Sequence, residues 1–388
     1  MSHNDALLSH LTHHRDAMVD LLSALVVAES PSDVPATQAG PQAILRQQFA
    51  QLGYDVAHTP GTRTGGTLVA RAPNPDGRPT QLLLGHCDTV WPVGTLAEMP
   101  LVVYGDVLRG PGSYDMKAGL VQGLFALRAL QELGLTPSLA PVFLVNSDEE
   151  IGSIDSRPMI EQLAGEAARA LILEPAGPGG QLKTQRKGLG EFEIVVHGRA
   201  AHAGNEPEKG VSAILGMMEL IRTLHALNDY PRGLSVNVGV ISGGLRGNVV
   251  PPECRATVDA RATTMADAAR LEAAIRDLSA PPGTTLTVTG GFERGPLERT
   301  PRNIALWETA RQVGAAMGLS LAETAVGGGS DGNLTSAYTA TLDGLGPVGD
   351  GAHARHEHVV ISRMIERAAL LAGLMLRDGT TDYTDFTD

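Results

Sequence analysis

Three apolar runs in the chain end in side chains that can hold a cation or move a proton. QLLLG runs into His86-Cys87-Asp88, APVFLVNS into Asp148-Glu149-Glu150, and ALIL into Glu174. If these runs are strands of an open parallel sheet, the residues stand at its carboxyl ends, which border the ligand crevice. The Gly-rich segment RGPGSYD adds Asp115 just before a helical pattern. Acids gathered at one edge repel one another, so such a cluster points to a bound cation.

Residues two apart in an extended segment share a face, so Asp88 lies on the His86 side. There its carboxylate can accept the free ring N–H of His86 and fix the tautomer of a metal-binding imidazole. Cys87 points the other way, as a packed thiol. Of the adjacent pair Glu149 and Glu150, one can ligate while the other reaches a water and takes its proton. That combination is hydrolytic chemistry. Each piece also has a plain reading: Asp115 as a helix N-cap, Glu174 as a turn before Pro175, the acid run as a solvated strand end. Lys117 is expected to cap or solvate its helix.

Taken in order, GHCDTVWPVG, RGPGSYDMKAG, NSDEEIGS, LEPA and GAHARHEHV resemble the motifs of the zinc aminoacylase/carboxypeptidase family of metallopeptidases. Glutamate carboxypeptidases, acetylornithine deacetylases and succinyl-diaminopimelate desuccinylases are members, and the flavour here is that of the bacterial glutamate carboxypeptidases. The resemblance spans nearly the whole chain. It implies two zinc ions, with manganese or cobalt as possible substitutes, bridged by Asp115. His86 and Glu174 would complete one site, Glu150 and His353 the other. Glu149 would be the general base, and the Asp115–Met116 peptide would be cis. His353 is chosen over His356 and His358 because the family's histidine stands four residues before a glutamate, here Glu357. His356 occupies a position that is usually Asn or Asp, which keeps it as a competing ligand.

GRAAHAG resembles the segment whose histidine, here His202, reaches the reaction centre of a partner subunit, which implies a homodimer. NVVPPECRATVDARA resembles the stretch whose Asn248 and Arg261 hold substrate. An arginine fork suits a carboxylate, and Arg294 is a possible assistant. The substrate implied is a small molecule or dipeptide with a free carboxylate. Peptides ending in glutamate, N-acyl amino acids and carbamoyl compounds all fit.

Two other readings compete. Gly328-Gly329-Ser330-Asp331-Gly332 fits the G-x-S-x-G elbow of serine hydrolases, with Asp343 or Asp350 and His353 or His356 following in triad order. That reading leaves Asp115, Glu149, Glu150 and Glu174 idle. A scaffold that binds a metabolite without turnover is the third, and it predicts a missing ligand or base; none is missing.

The elements that must position these residues follow a two-texture pattern. Helix-like spacing covers residues 4–28 and Pro41–Leu52. Strand-like TLVARA, QLLLGHCD and APVFLVNSDEE follow, with the helix MKAGLVQGLFALRALQELG between the last two. Alternating strands and helices predict an α/β domain with a largely parallel sheet. From Lys187 the order becomes β-α-β-β-α-β, the split βαβ pattern of a ferredoxin-like unit. After Thr300 the α/β texture resumes with helices at 301–317 and near 361–376. The expected architecture is therefore a catalytic α/β domain, 1–186 and 299–388, with an inserted ferredoxin-like lid or dimerisation domain at 187–298.

Composition narrows the partners. A net charge of −13 argues against nucleic acid. Two cysteines give no disulfide framework. The first residues lack a signal peptide's apolar core, and LLSALVVA is too short to span a bilayer. A cytoplasmic protein without a membrane partner is expected, with a polar, acidic end that frays.

Overall fold

The structure is a computed structural model that describes residues 3–378; the acidic end beyond them lies outside the described residues. Two compact units divide the chain. The first holds the described residues of Met1–Thr184, Arg299–Ala325 and Ser330–Asp388, the second Gln185–Glu298 and Val326–Gly329.

The first unit opens with α1 (His3–His13) and α2 (Arg15–Val27), so the periodic stretch 4–28 is two helices that break at His14. α3 (Pro35–Gln51) starts earlier than its pattern suggested, because Pro35 serves at the first helical turn and Pro41 sits inside. Then come β1 (Asp55–Thr59), β2 (Thr67–Arg71), β3 (Thr80–His86) and the short β4 (Val102–Tyr104) and β5 (Val107–Arg109). A kinked turn, Ser113–Lys117, non-helical at Asp115 and Met116, leads into α4 (Ala118–Glu132). β6 (Ala140–Asn146), α5 (Arg157–Glu166) and β7 (Ala167–Ile172) follow.

β8 (Leu182–Arg186) crosses into the second unit, which contains β9 (Gly188–His197), α6 (Ala213–His225), β10 (Ser235–Gly243), β11 (Glu253–Ala262), α7 (Met265–Arg276) and β12 (Thr285–Arg294). Their antiparallel sheet has the order β10-β11-β9-β12. On β9, buried Phe192, Ile194 and Val196 alternate with exposed Glu191 and Glu193. They share a core with Met217 and Leu224 of α6 and Leu271 and Ile275 of α7. This is the ferredoxin-like order, with helices on one face.

The first unit resumes with α8 (Pro301–Ala316), β13 (Glu323–Val326), α9 (Gly332–Thr335), β14 (Ala340–Leu342), β15 (Gly349–Asp350), β16 (His358–Val360) and α10 (Ile361–Met375). Its main sheet runs β1-β2-β6-β3-β7-β14. β3 is parallel to β6 and β7, and β7 to β14, but β2 is antiparallel to both β1 and β6. The sheet is thus mixed rather than largely parallel, since the short connection from β1 to β2 can only return the chain antiparallel. Leu82–Leu84 and Val142–Val145 are continuous apolar runs because both faces are covered. Leu83, Phe143 and Leu171 pack in one core with α4 and α10. Leu82, Leu84 and Leu144 pack in the other with Ile160 and Leu163 of α5. Among the described residues no helix is long and apolar enough to cross a membrane.

Candidate metal centre

β3, β6 and β7 lie side by side and in parallel, and each delivers part of the site from its carboxyl end. His86 is the last residue of β3, Glu149 and Glu150 form a short turn after β6, and Glu174 lies just beyond β7. Asp115 comes from the kinked turn before α4, and its peptide to Met116 is cis. Gly119, one turn further on, lets α4 approach closely: a Cβ there would lie 2.1 Å from the carbonyl oxygen of Leu173.

Asp115 divides its two oxygens between two imidazoles. Oδ1 is 3.3 Å from Nε2 of His86, and Oδ2 is 3.5 Å from Nε2 of His353. His86 Nε2 also lies 3.6 Å from Glu174 Oε1, and His353 Nε2 lies 3.2 Å from Glu150 Oε2. Glu149 joins His86 and Glu174 in one convergent group of ligand atoms. His353 has φ +58°, a left-handed backbone that few non-glycine residues adopt, histidine more readily than most. His356 instead approaches exposed Asp350, 3.5 Å away, and stands apart from the cluster.

Asp88 is fully buried and organises the neighbourhood. It accepts from Ser32 Oγ at 2.6 Å and from the N–H groups of Glu149 and Glu150 at 3.3 and 3.2 Å. The nearer acceptor for His86 Nδ1 is the main-chain oxygen of Asp88, at 3.0 Å, with its carboxylate at 3.4 Å. The residue therefore fixes the Glu149–Glu150 turn and the His86 imidazole. These contacts are those of a supporting residue.

This donor set fits a bound cation. A carbonyl can only accept, so Nδ1 of His86 carries the proton and Nε2 of the neutral ring turns its lone pair on carboxylate oxygens. That contact is repulsive unless a proton or a metal lies between. Glu150 Oε1 is buried with no hydrogen-bond partner among the described residues, a cost that a cation removes. Without a metal, protons take its place. Burial pulls His86 down, but Asp115 and Asp88 outweigh it and hold the ring well above its usual range. Asp115 and Glu150 raise His353 to about 10. Both rings are then protonated at pH 7 and must lose their protons to bind metal. Metal uptake at pH 7 is expected to release about two protons, with affinity rising as pH rises. Calorimetry in buffers of different ionisation enthalpy measures this; uptake without proton release contradicts it.

Glu357 was only a spacing marker in the sequence, yet it holds the site together. Buried, it accepts from Trp91 Nε1 at 2.7 Å, Gly112 N at 2.9 Å, Tyr114 N at 2.9 Å and Asp115 N at 3.0 Å. Burial pushes its carboxyl up to about 7 against the pull of those donors. Gly112, with φ +70°, makes the turn that aims these N–H groups inward. The available signal was an acid set directly before an apolar strand. Lys117 does not cap or solvate its helix. It is buried, and Nζ donates to Leu25 and Ala28 carbonyls at 2.9 Å each, at the C-terminal end of α2. Carbonyls at a helix end lack an intrahelical partner, and burial lowers the amine to about 8. Asp148 is likewise structural, accepting from the N–H groups of Asp155 and Ser156 ahead of α5. Cys87 is a buried thiol, pushed up to about 12 by burial.

The serine reading fails on geometry. Ser330 is fully buried and its Oγ donates to Asp343 at 2.5 Å, so its partner is a carboxylate and not an imidazole. Asp331 accepts from Asn146 at 2.7 Å and braces the end of β6.

The remaining predicted residues belong to the second unit. His202 is exposed, and its Nδ1 accepts from the N–H groups of Gly204 and Asn205, 3.1 Å each. Nε2 therefore carries the proton of the neutral ring. Asn248 accepts from Ala203 N at 3.0 Å, and His202 bridges to Val249, so His202 and Asn248 share one loop junction. Arg261 is already paired: Asp259 accepts from its Nε at 2.8 Å and Nη2 at 2.6 Å. Leu189 on β9 is in register with Arg261 on one side and buried Arg294 on the other.

A model of the peptidase family M20/M25/M40 matches residues 82–377. Carboxypeptidase G2 of a Pseudomonas species is 28% identical over 96% of this chain and 92% of its own. A succinyl-diaminopimelate desuccinylase of Xanthomonas campestris is 28% identical over 89% of this chain and 95% of its own. Among solved structures, aminopeptidase PepT of Bacillus cereus has a TM-score of 0.76 at 22% identity, over 93% of this chain and 98% of that one, a likeness of fold.

Proposed function

Because the chain belongs to the peptidase family M20/M25/M40 and is a metal-dependent hydrolase, we propose that it cleaves an amide or peptide bond next to a free carboxylate. Its activity is then that of a glutamate carboxypeptidase or an N-acyl-amino-acid deacylase. The observation that carries this reading is the sharing of Asp115 between His86 and His353, each beside a further carboxylate. His86, Asp115 and Glu174 would hold one zinc, and Asp115, Glu150 and His353 the other, with manganese or cobalt able to substitute.

Bound ions of this kind supply Lewis acidity, which makes a water acidic near neutral pH and polarises a carbonyl. Glu149, held at its own N–H by Asp88, takes the proton of the attacking water and passes it to the leaving nitrogen. His202, protonated at Nε2, donates to the oxyanion of the tetrahedral intermediate. Asn248 and the Nη1 edge of Arg261 hold the substrate carboxylate. A pocket of about 300 Å³ beside Glu150, lined by Ser32, Asp33, Thr89, Val90, Pro92 and Ile151, suits a small side chain.

The inserted residues 187–298 serve in this reading as lid and dimerisation domain, and His202 acts in the partner's site. Supporting the dimer are exposed Leu215 and Met218 on α6, Val240 and Ile241 on the edge strand β10, and Leu245 just after it. The test is a hydrolysis screen of N-acyl amino acids and dipeptides with zinc-loaded protein. Turnover is expected to stop on chelation and return with zinc. Activity that survives complete metal removal refutes the reading.

A further inference from the structure

Apart from the centre above, metal-ligating side chains converge where the first two helices meet the end of α4. His10 lies in the last turn of α1, His14 stands between α1 and α2, and Glu132 closes α4. Nε2 of His10 and Nε2 of His14 lie 3.1 and 3.6 Å from the same oxygen, Glu132 Oε2. The two rings are 4.4 Å apart between centroids, and ligand atoms from the three residues all fall within 4.8 Å of one another. We propose that His10, His14 and Glu132 form a separate zinc site that ties the α1–α2 junction to the C-terminal end of α4.

The proton positions favour a metal. His14 Nδ1 lies 2.9 Å from the main-chain oxygen of His10, which can only accept. Nδ1 therefore carries the proton and Nε2 presents its lone pair, the arrangement that orients metal-bound imidazoles. His10 Nε2 is buried from solvent and has no hydrogen-bond partner among the described residues, although Glu132 Oε2 is 3.1 Å away. Close approach without alignment results when donor atoms aim at a common point instead of at one another. The lengths agree, since ligand atoms 2.0–2.1 Å from a tetrahedral zinc stand about 3.3–3.4 Å apart. Two imidazoles and a carboxylate make a borderline donor set suited to zinc. Glu132 and His14 remain 47% and 31% exposed, so an ion enters from solvent and water completes its shell.

The test counts metal. Full-length protein is stripped of metal, titrated with zinc, desalted and analysed for bound zinc, with circular dichroism to confirm that each variant is folded. Wild type is expected to hold one equivalent more than His14→Ala or Glu132→Gln, and both variants should hydrolyse substrate at the wild-type rate. Added zinc should raise Tm further in wild type than in either variant. The readout is a difference of one equivalent, so it stands whatever the centre around Asp115 binds. Equal zinc content in wild type and both folded variants overturns the proposal, and shows a plain ion pair between these side chains.

Discussion

Replacing Glu149 with alanine is expected to lower kcat by about 10²–10⁴-fold, the usual contribution of a positioned general base. Zinc content should stay unchanged. The separation rests on geometry: the centre keeps His86, Asp115, Glu150, Glu174 and His353, and Asp88 still anchors the main chain of the turn. The fall should lie in kcat rather than KM, since the lost group acts only as the proton moves. Glu149→Gln, which keeps the shape without the basicity, should be nearly as slow. If either variant turns over at the wild-type rate, the base is another residue. The same variant tests the sharing of sites between subunits. Glu149→Ala and His202→Ala proteins should each be nearly inactive, but if His202 acts across a dimer interface a mixed dimer carries one site with both defects and one with neither. Mixing should restore up to half of the activity per heterodimer. Proven subunit exchange without recovery rules out His202 acting across the interface.

Glu357→Gln should have the largest effect on stability and metal content together. Oε2 accepts from Trp91 and Gly112, and Oε1 from Tyr114 and Asp115. An amide turns one of those oxygens into a donor, so two buried N–H groups face another N–H. At about 1–3 kcal/mol for each unsatisfied buried group, the loss is a large share of the roughly 5–15 kcal/mol that stabilises a typical domain. Because three of the donors belong to the turn that carries Asp115, that carboxylate also loses its fixed position. Urea unfolding should give a lower midpoint, and dialysed protein should hold less zinc. A variant with wild-type midpoint and zinc content contradicts this role for Glu357.

The parts of the candidate site that were legible in the sequence share a physical cause. His86, Glu150 and Glu174 each end or closely follow an apolar run, and an apolar run that stops at a charge marks a buried strand reaching a polar edge. Asp115 and His353 carry weaker local signals, a Gly-rich turn and one histidine among three, and needed the order of the motifs. Lys117, Asp148 and Glu357 resemble surface charges in sequence because their partners are main-chain groups. Nothing in a residue's type tells that Leu25 and Ala28 carbonyls will face a lysine far along the chain. The division of the sheet into parallel and antiparallel halves was hidden for a related reason. Periodicity reports which face of a strand is buried and says nothing of its direction. The break at His14 was equally silent, since apolar spacing continues through it.

The late return of the chain to its first unit has a consequence during synthesis. β7 is complete at Ile172, but its parallel neighbour β14 begins only at Ala340, after the whole inserted unit. At about 5–20 residues per second, a ribosome leaves that edge of the sheet unpaired for roughly ten to thirty seconds. His353 and Glu357 emerge later still, so His86, Asp115 and Glu174, proposed to hold one ion, precede the residues that would complete and brace the centre. The second unit, with all of its main strands and helices in one continuous segment, can fold on the ribosome while the first waits. On this order of synthesis the β7 edge of a nascent chain stays open until β14 is made, and the proposed centre can load fully only once His353 has been added.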